Sequence, residues 1–165
     1  METSATAVRE SANMTTAIVN PVIAATRSVF EMMLGCTPTR TGLMLKSENG
    51  PNFEVSSVIG ITGRANGTIV FRVSEVVAVK ILSALTGDSA DSLNSEVLDA
   101  VGELTNMIAG GAKAQLAHLQ LSIGIPNVVS GASHSIHYPN NVQPFCIQFD
   151  SELGPFMIEV GFSSP

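Results

Sequence analysis

Charge is what this chain has least of. Of 165 residues only 13% are Asp, Glu, Lys or Arg, against about 25% in a typical soluble domain. So thin a charged surface predicts that another subunit covers part of it, and a homodimer is the default expectation. Basic residues are scarcer still: eight Lys and Arg face fourteen Asp and Glu, a net charge of −6. That balance argues against nucleic acid, whose phosphates such a surface repels, and equally against an anionic membrane. Cysteine is limited to Cys36 and Cys146, with no CxxC pair. The opening residues, Met1 to Glu10, carry neither a basic stretch nor an apolar run of the secretory type. Two free thiols in a reducing cytoplasm are the simplest expectation. The longest apolar stretch, Ala17 to Leu34, is broken by Asn20, Pro21, Arg27 and Glu31, so it is not read as a membrane span. No P-loop, GxGxxG or GxSxG occurs, which removes support for nucleotide binding and serine hydrolysis.

What remains is ordinary globular material. Hydrophobic residues make up 45%, and the length suits one domain burying roughly two-thirds of its unfolded surface. Residues 1–13 are rich in Ser, Thr and Ala and are expected to fray, leaving 14–165 as the domain. A helix ends near Gly35, a suitable C′ glycine. It starts either at Asn20, with Pro21 in the first turn, or earlier with a kink at the proline. Strands are expected over Gly42 to Lys46, Glu54 to Thr62 and Gly67 to Val73. Their short links, one holding an Asn49-Gly50-Pro51 turn, favour antiparallel hairpins. Ser74 caps a helix over Glu75 to Leu85 that Gly87 closes. A longer helix, capped by Asn94 or Ser95, runs to about His118. Leu121 to Ile125 is a further strand candidate, and Phe145 to Asp150 and Phe156 to Ser163 form the clearest hairpin. Strands and helices cluster rather than alternate, so the expected class is α+β: a mainly antiparallel sheet with two long helices and a shorter one packed on one face.

The long helix carries the functional signal. Val97, Val101, Leu104, Ile108 and Ala112 recur on one stripe, while Asp99, Gly102, Glu103, Asn106, Gly110 and Lys113 occupy the other. Glu103 and Asn106 are three residues apart and therefore neighbours. A solvated helix face rarely carries so many glycines, since each is about 1 kcal/mol worse than alanine. Glu103 and Asn106 alone would still suit plain solvent exposure. Metal binding by His134 and His137, three apart in a loop or edge strand, has no further ligand nearby. His118 fits a favourable contact with the helix C-terminus. The methionines read as core or interface filler.

Asp99, Glu103 and Asn106 fit the pattern Asp/Ser-x3-Glu-x2-Asn. With the flanking Val101-Gly-Glu-Leu-Thr-Asn-Met-Ile-Ala-Gly-Gly-Ala-Lys113, this region resembles the CheC/CheX family of bacterial chemotaxis phosphatases, on its CheX side. The Asn20-Pro21 helix, the strand block and the terminal hairpin also fit the family layout. CheC proteins carry the pattern on two helices; the first helix as bounded here, between residue 14 and Gly35, lacks Glu-x-x-Asn, the single-site arrangement. A position where many relatives have a second asparagine is Gly111 here, and the family proline is met by Pro126 at a shorter spacing. The resemblance implies a CheC-like fold and dephosphorylation of an aspartyl phosphate on a CheY-like receiver domain. It implies that the receiver supplies the Mg2+, with no cofactor in this chain. Asn106 would then orient the attacking water, and Glu103 would pair with the receiver's lysine. Asp99, Gly102, Gly110 and Lys113 would contact the receiver, and the glycines, Gly111 included, would let it come close. The other expectation is a non-catalytic adaptor of the same family, binding a receiver or a flagellar-switch protein.

Overall fold

The computed structural model describes residues 2–48 and 50–165; Asn49 of the expected Asn-Gly-Pro turn lies outside them. Helix α1 (Glu2–Val29) runs through Pro21 and continues into a π-type turn at Phe30–Leu34, closed by Gly35 at φ 68°. Then come β1 (Thr39–Leu45), β2 (Val55–Thr62), β3 (Asn66–Val73), α2 (Glu75–Thr86) and α3 (Ser95–Ala114). A 3-10 turn over Ala117–Leu119 leads to β4 (Ser122–Ile123), β5 (Asn127–Ser130), β6 (Phe145–Asp150) and β7 (Phe156–Ser163). All strand pairs are antiparallel. The order is β1-β6-β7-β3-β2-β4, with β5 also on β2. The expected α+β class is what the chain forms.

Strand period sorts the residues onto two faces. Val55, Ile59, Ile69, Phe71, Ile147, Phe156, Ile158 and Val160 meet the helices in one continuous core. Phe156 sits at its centre, stacked on Phe30 at 4.6 Å and on Phe149 at 4.9 Å between ring centroids. The opposite face carries Arg72, Cys146, Met157 and Glu159, and residues 131–144 lie over it. Gly161 makes room for this cover, because a Cβ there would come within 2.7 Å of the Tyr138 ring.

Three expectations change. Residues 2–13 are not a frayed tail but the first turns of α1, so a Glu-x-x-Asn, Glu10 to Asn13, does lie exposed on the first helix, against the expectation that it has none. The β6–β7 ladder ends at Phe145↔Val160, which leaves the Phe162 backbone without a partner on that side. Ser11 and Thr15 supply one: the Ser11 hydroxyl donates to the Phe162 carbonyl at 2.6 Å, and the Phe162 N–H donates to Thr15 Oγ1 at 3.0 Å. Buried backbone groups must be paired, and this demand docks the N-terminal turns. Second, β1 forms no hairpin with β2. It pairs with β6, because β2 is already flanked by β3 on one side and by β4 and β5 on the other. Third, a strand forms at Asn127–Ser130, a segment for which no strand is expected above.

By length and composition, Ser4–Leu34 could cross a bilayer, at a mean hydropathy of 1.3. In this fold its apolar side is core: Ile18, Val22, Ala25, Val29 and Phe30 are buried against the sheet and α3.

Candidate active site

Helix α3 is fixed before it is functional. Asn94 caps it, its Oδ1 accepting from the Val97 N–H at 2.9 Å. Val97, Val101, Leu104, Ile108 and Ala112 are buried, as their period requires. The Thr105 hydroxyl turns back onto the Val101 carbonyl at 2.8 Å. With that stripe committed to the core, Asp99, Glu103, Asn106 and Lys113 are left in solvent. Neither Glu103 nor Asn106 has a hydrogen bond or ion pair among the described residues; both ion pairs found there belong to Glu159.

The polar pair lines a groove. One wall is Leu98, Asp99, Glu103 and Asn106 of α3, and the other is the β4–β5 connection, Gly124, Ile125, Pro126 and Val128. Gly102 floors it. A Cβ on Gly102 would stand 3.3 Å from Val128 Cγ2 and 3.8 Å from Pro126 Cγ. The absent side chain therefore admits the chain's own loop, while Gly102 still lines the groove. Gly111 serves the α1–α3 contact, its Cβ position lying 3.0 Å from Ala25 Cβ. Gly110 does face open space. Lys113 is exposed in the last turn of α3, beyond the residues that line the groove. His118 is exposed in the 3-10 turn that follows. Of the residues gathered here, Ile125 and Val128 were not singled out by sequence; only their closeness to Asp99–Asn106 in three dimensions reveals them.

A larger hollow, about 640 Å3, lies on the other face of the sheet. Its charges answer one another. Glu159, fully buried, accepts from Lys46 at 2.7 Å and from Arg72 at 3.0 Å, and Arg72 also donates to Ser56 Oγ at 3.0 Å. His134 is held there, with Nδ1 2.7 Å from the Gly131 carbonyl and Nε2 2.7 Å from Ser56 Oγ. Both ring nitrogens are thus occupied. Among the described residues no group of three or more His, Cys, Asp or Glu could hold a metal.

Nor is there an activated thiol in that hollow. Burial, with the Glu159 carboxylate adding to it, pushes Cys146 up to about 11. Burial and Glu152 also raise Cys36. Reactivity belongs to the thiolate, so at pH 8 a thiol reagent is expected to modify Cys146 only after unfolding. Fast reaction in the folded chain would contradict this. The linked stability has a definite sign. Between the ordinary value of 9.0 and about 11 the unfolded chain has released the proton that the folded chain keeps. This contribution is whole below pH 9 and is lost as pH rises toward 11.

Residues 55–150 match the family described as chemotaxis phosphatase CheX. The chain belongs to the CheX family. A curated relative, the CheY-P phosphatase CheX of Thermotoga maritima, is 36% identical over 121 residues, which cover 69% of this chain and 76% of the relative. The crystal structure of CheX from Vibrio vulnificus superposes with a TM-score of 0.82 at 31% identity, covering 89% of this chain and 99% of the other. A CheX from Borrelia burgdorferi, solved as a complex with CheY, BeF3 and Mg2+, shares the fold at a TM-score of 0.70 and 24% identity, over 88% and 96% of the two chains. The family match spans all of α3 and the β4–β5 connection, so the groove lies within the matched region.

Proposed function

We propose that this chain dephosphorylates the aspartyl phosphate of a CheY-like receiver domain by inserting Glu103 and Asn106 into the receiver's active site. The observation that carries the reading is the pair itself: two polar side chains, free of partners among the described residues, on a helix whose other side is locked into the core. The CheY-P phosphatase among its relatives supports the substrate class.

The chemistry asks little of this chain. Hydrolysis of an acyl phosphate needs a water in line with the phosphorus and neutralisation of charge on the phosphoryl oxygens. A carboxamide suits the first task, since it both donates to and accepts from a water and fixes its orientation. It is also uncharged, so it does not repel the phosphoryl group. Asn106 takes this role. Glu103 is anionic and needs a cation: paired with the receiver's lysine by charge-assisted hydrogen bonds, it sets the register of α3 and thereby of Asn106. Asp99, one turn before Glu103, and Gly110 and Lys113 beyond Asn106 extend the contact along the helix. Asp99 and Glu103 are the carboxylates on the groove, too few for a resident metal site. The Mg2+ arrives with the receiver and supplies charge neutralisation at the phosphoryl group.

The test is turnover. A small amount of this chain should release many equivalents of phosphate from a phosphorylated receiver in Mg2+. An adaptor would bind the receiver and leave its rate of dephosphorylation unchanged. The same reading places the chain in the cytoplasm, with its receiver.

A homodimer is also proposed. β1 is an edge strand, and Leu43, Met44 and Leu45 are exposed along it. An uncovered apolar edge of this kind recruits another strand, and a second copy of this chain fits the thin surface charge. Sedimentation should give a dimer for the wild type and a monomer for Leu43→Arg combined with Leu45→Arg. A monomeric wild type would overturn it.

A further inference from the structure

Ile125 is 87% exposed, more than any other large apolar side chain among the described residues. A single apolar residue in water needs no special account, but the setting of this one does. Its segment is pinned on both sides. Before it, the Gly124 N–H donates to the Gly60 carbonyl at 2.8 Å, and a Cβ at Gly124 would stand only 3.2 Å from that oxygen. After it, Pro126 confines Ile125 to extended backbone. Pro126 and Val128 are themselves seated against Gly102 of α3. A bulky apolar side chain is therefore held out into water by a segment with little freedom to withdraw it.

Its position decides what it faces. Ile125 lines the same groove as Glu103 and Asn106, so any body that covers the polar pair meets Ile125 as well. We propose that Ile125 is a docking anchor for the receiver domain, seating in an apolar depression beside the phosphorylation site and adding affinity to the contact made by Glu103 and Asn106. The inference rests on the receiver reading of α3. The side chain offers no group to move a proton or orient a water, so it acts through binding alone. Because it is already fixed, covering it immobilises little that was free, and desolvation of its surface contributes directly to affinity.

The experiment uses the whole chain and a CheY receiver. Binding is measured with the receiver loaded with beryllofluoride and Mg2+, and phosphate release with the phosphorylated receiver. Ile125→Ala should weaken binding about tenfold and raise KM in step, with kcat within about twofold of wild type, the signature of lost uniform binding. Ile125→Leu should restore most of the affinity. Val76→Ala, an exposed apolar position on α2 outside the groove, should change nothing. If wild type is active and Ile125→Ala binds as tightly, the anchor is refuted while the proposed function stands. If wild type neither binds the receiver nor accelerates release, both fall. If Ile125→Ala alters self-association and not receiver binding, the side chain serves a second copy of this chain and the anchor is again refuted.

Discussion

Asn106→Ala is expected to reduce accelerated phosphate release about a hundredfold or more, close to the receiver's own rate, while binding of the beryllofluoride-loaded receiver stays within a few-fold of wild type. In the proposed mechanism the amide is worth this much because its task is positional. Holding a nucleophile in line supplies several kcal/mol of the barrier reduction, and each 1.4 kcal/mol is about a factor of ten in rate. No other polar side chain of the groove can take over, since Asp99 and Glu103 are both carboxylates. Asn106→Asp should fail as well, because a carboxylate placed there repels the phosphoryl oxygens. Neither change should matter to folding. Asn106 is exposed and has no partner among the described residues, and such substitutions stay within about 0.5 kcal/mol. Thermal unfolding of each variant checks that the lost rate is not lost structure. Normal turnover by Asn106→Ala would remove the water-orienting role.

Glu103→Ala should lose both binding and turnover. Its carboxylate is unpaired among the described residues and is assigned by the proposal to a cation on the partner. Removing it leaves the receiver's lysine without a counter-charge and lets α3 slip in register, so Asn106 no longer meets the water. A loss of about tenfold to a hundredfold in affinity is expected from a charge-assisted pair worth roughly 1.5–3 kcal/mol, with a further fall in kcat. Glu103→Gln keeps the shape and the hydrogen-bond acceptor but not the charge, and should fall between. The wild-type affinity should also weaken with added salt more than that of Glu103→Gln. Titration of receiver binding against ionic strength separates the two. A Glu103→Ala variant with wild-type affinity would show that the carboxylate does not touch the receiver.

Local devices were legible in the sequence, and long-range pairings were not. Ser74 and Gly87 bound α2 as read, and of the two caps offered for α3, Asn94 and Ser95, the structure uses Asn94, because a cap is decided by residues within one turn of it. The terminal hairpin over Phe145–Asp150 and Phe156–Ser163 was equally plain, since its turn is local. The outward placement of Glu103 and Asn106 follows from period alone. By contrast, nothing near Ser11 or Thr15 announces that the Phe162 backbone needs them. Those hydroxyls look like a polar tail until the sheet ends beside them. The partner of β1 depends on which edges the later strands leave free. Gly102 and Gly111 showed that backbone must be approached there, but only tertiary structure says that Val128 and Ala25 are neighbours that approach it. Glu159 was visible as one carboxylate in the apolar run Phe156 to Phe162. Its partners, Lys46 and Arg72, lie on other strands or their ends, and no spacing rule connects them.

The most direct test of insertion is a crystal structure of this chain bound to a CheY receiver in beryllofluoride and Mg2+. The account predicts α3 against the receiver's phosphorylation site, the Glu103 carboxylate on the receiver's lysine, and the Asn106 amide within hydrogen-bonding distance of a water in line with the beryllium. A complex in which the α3 groove stays open to solvent, with the receiver seated elsewhere, would contradict it.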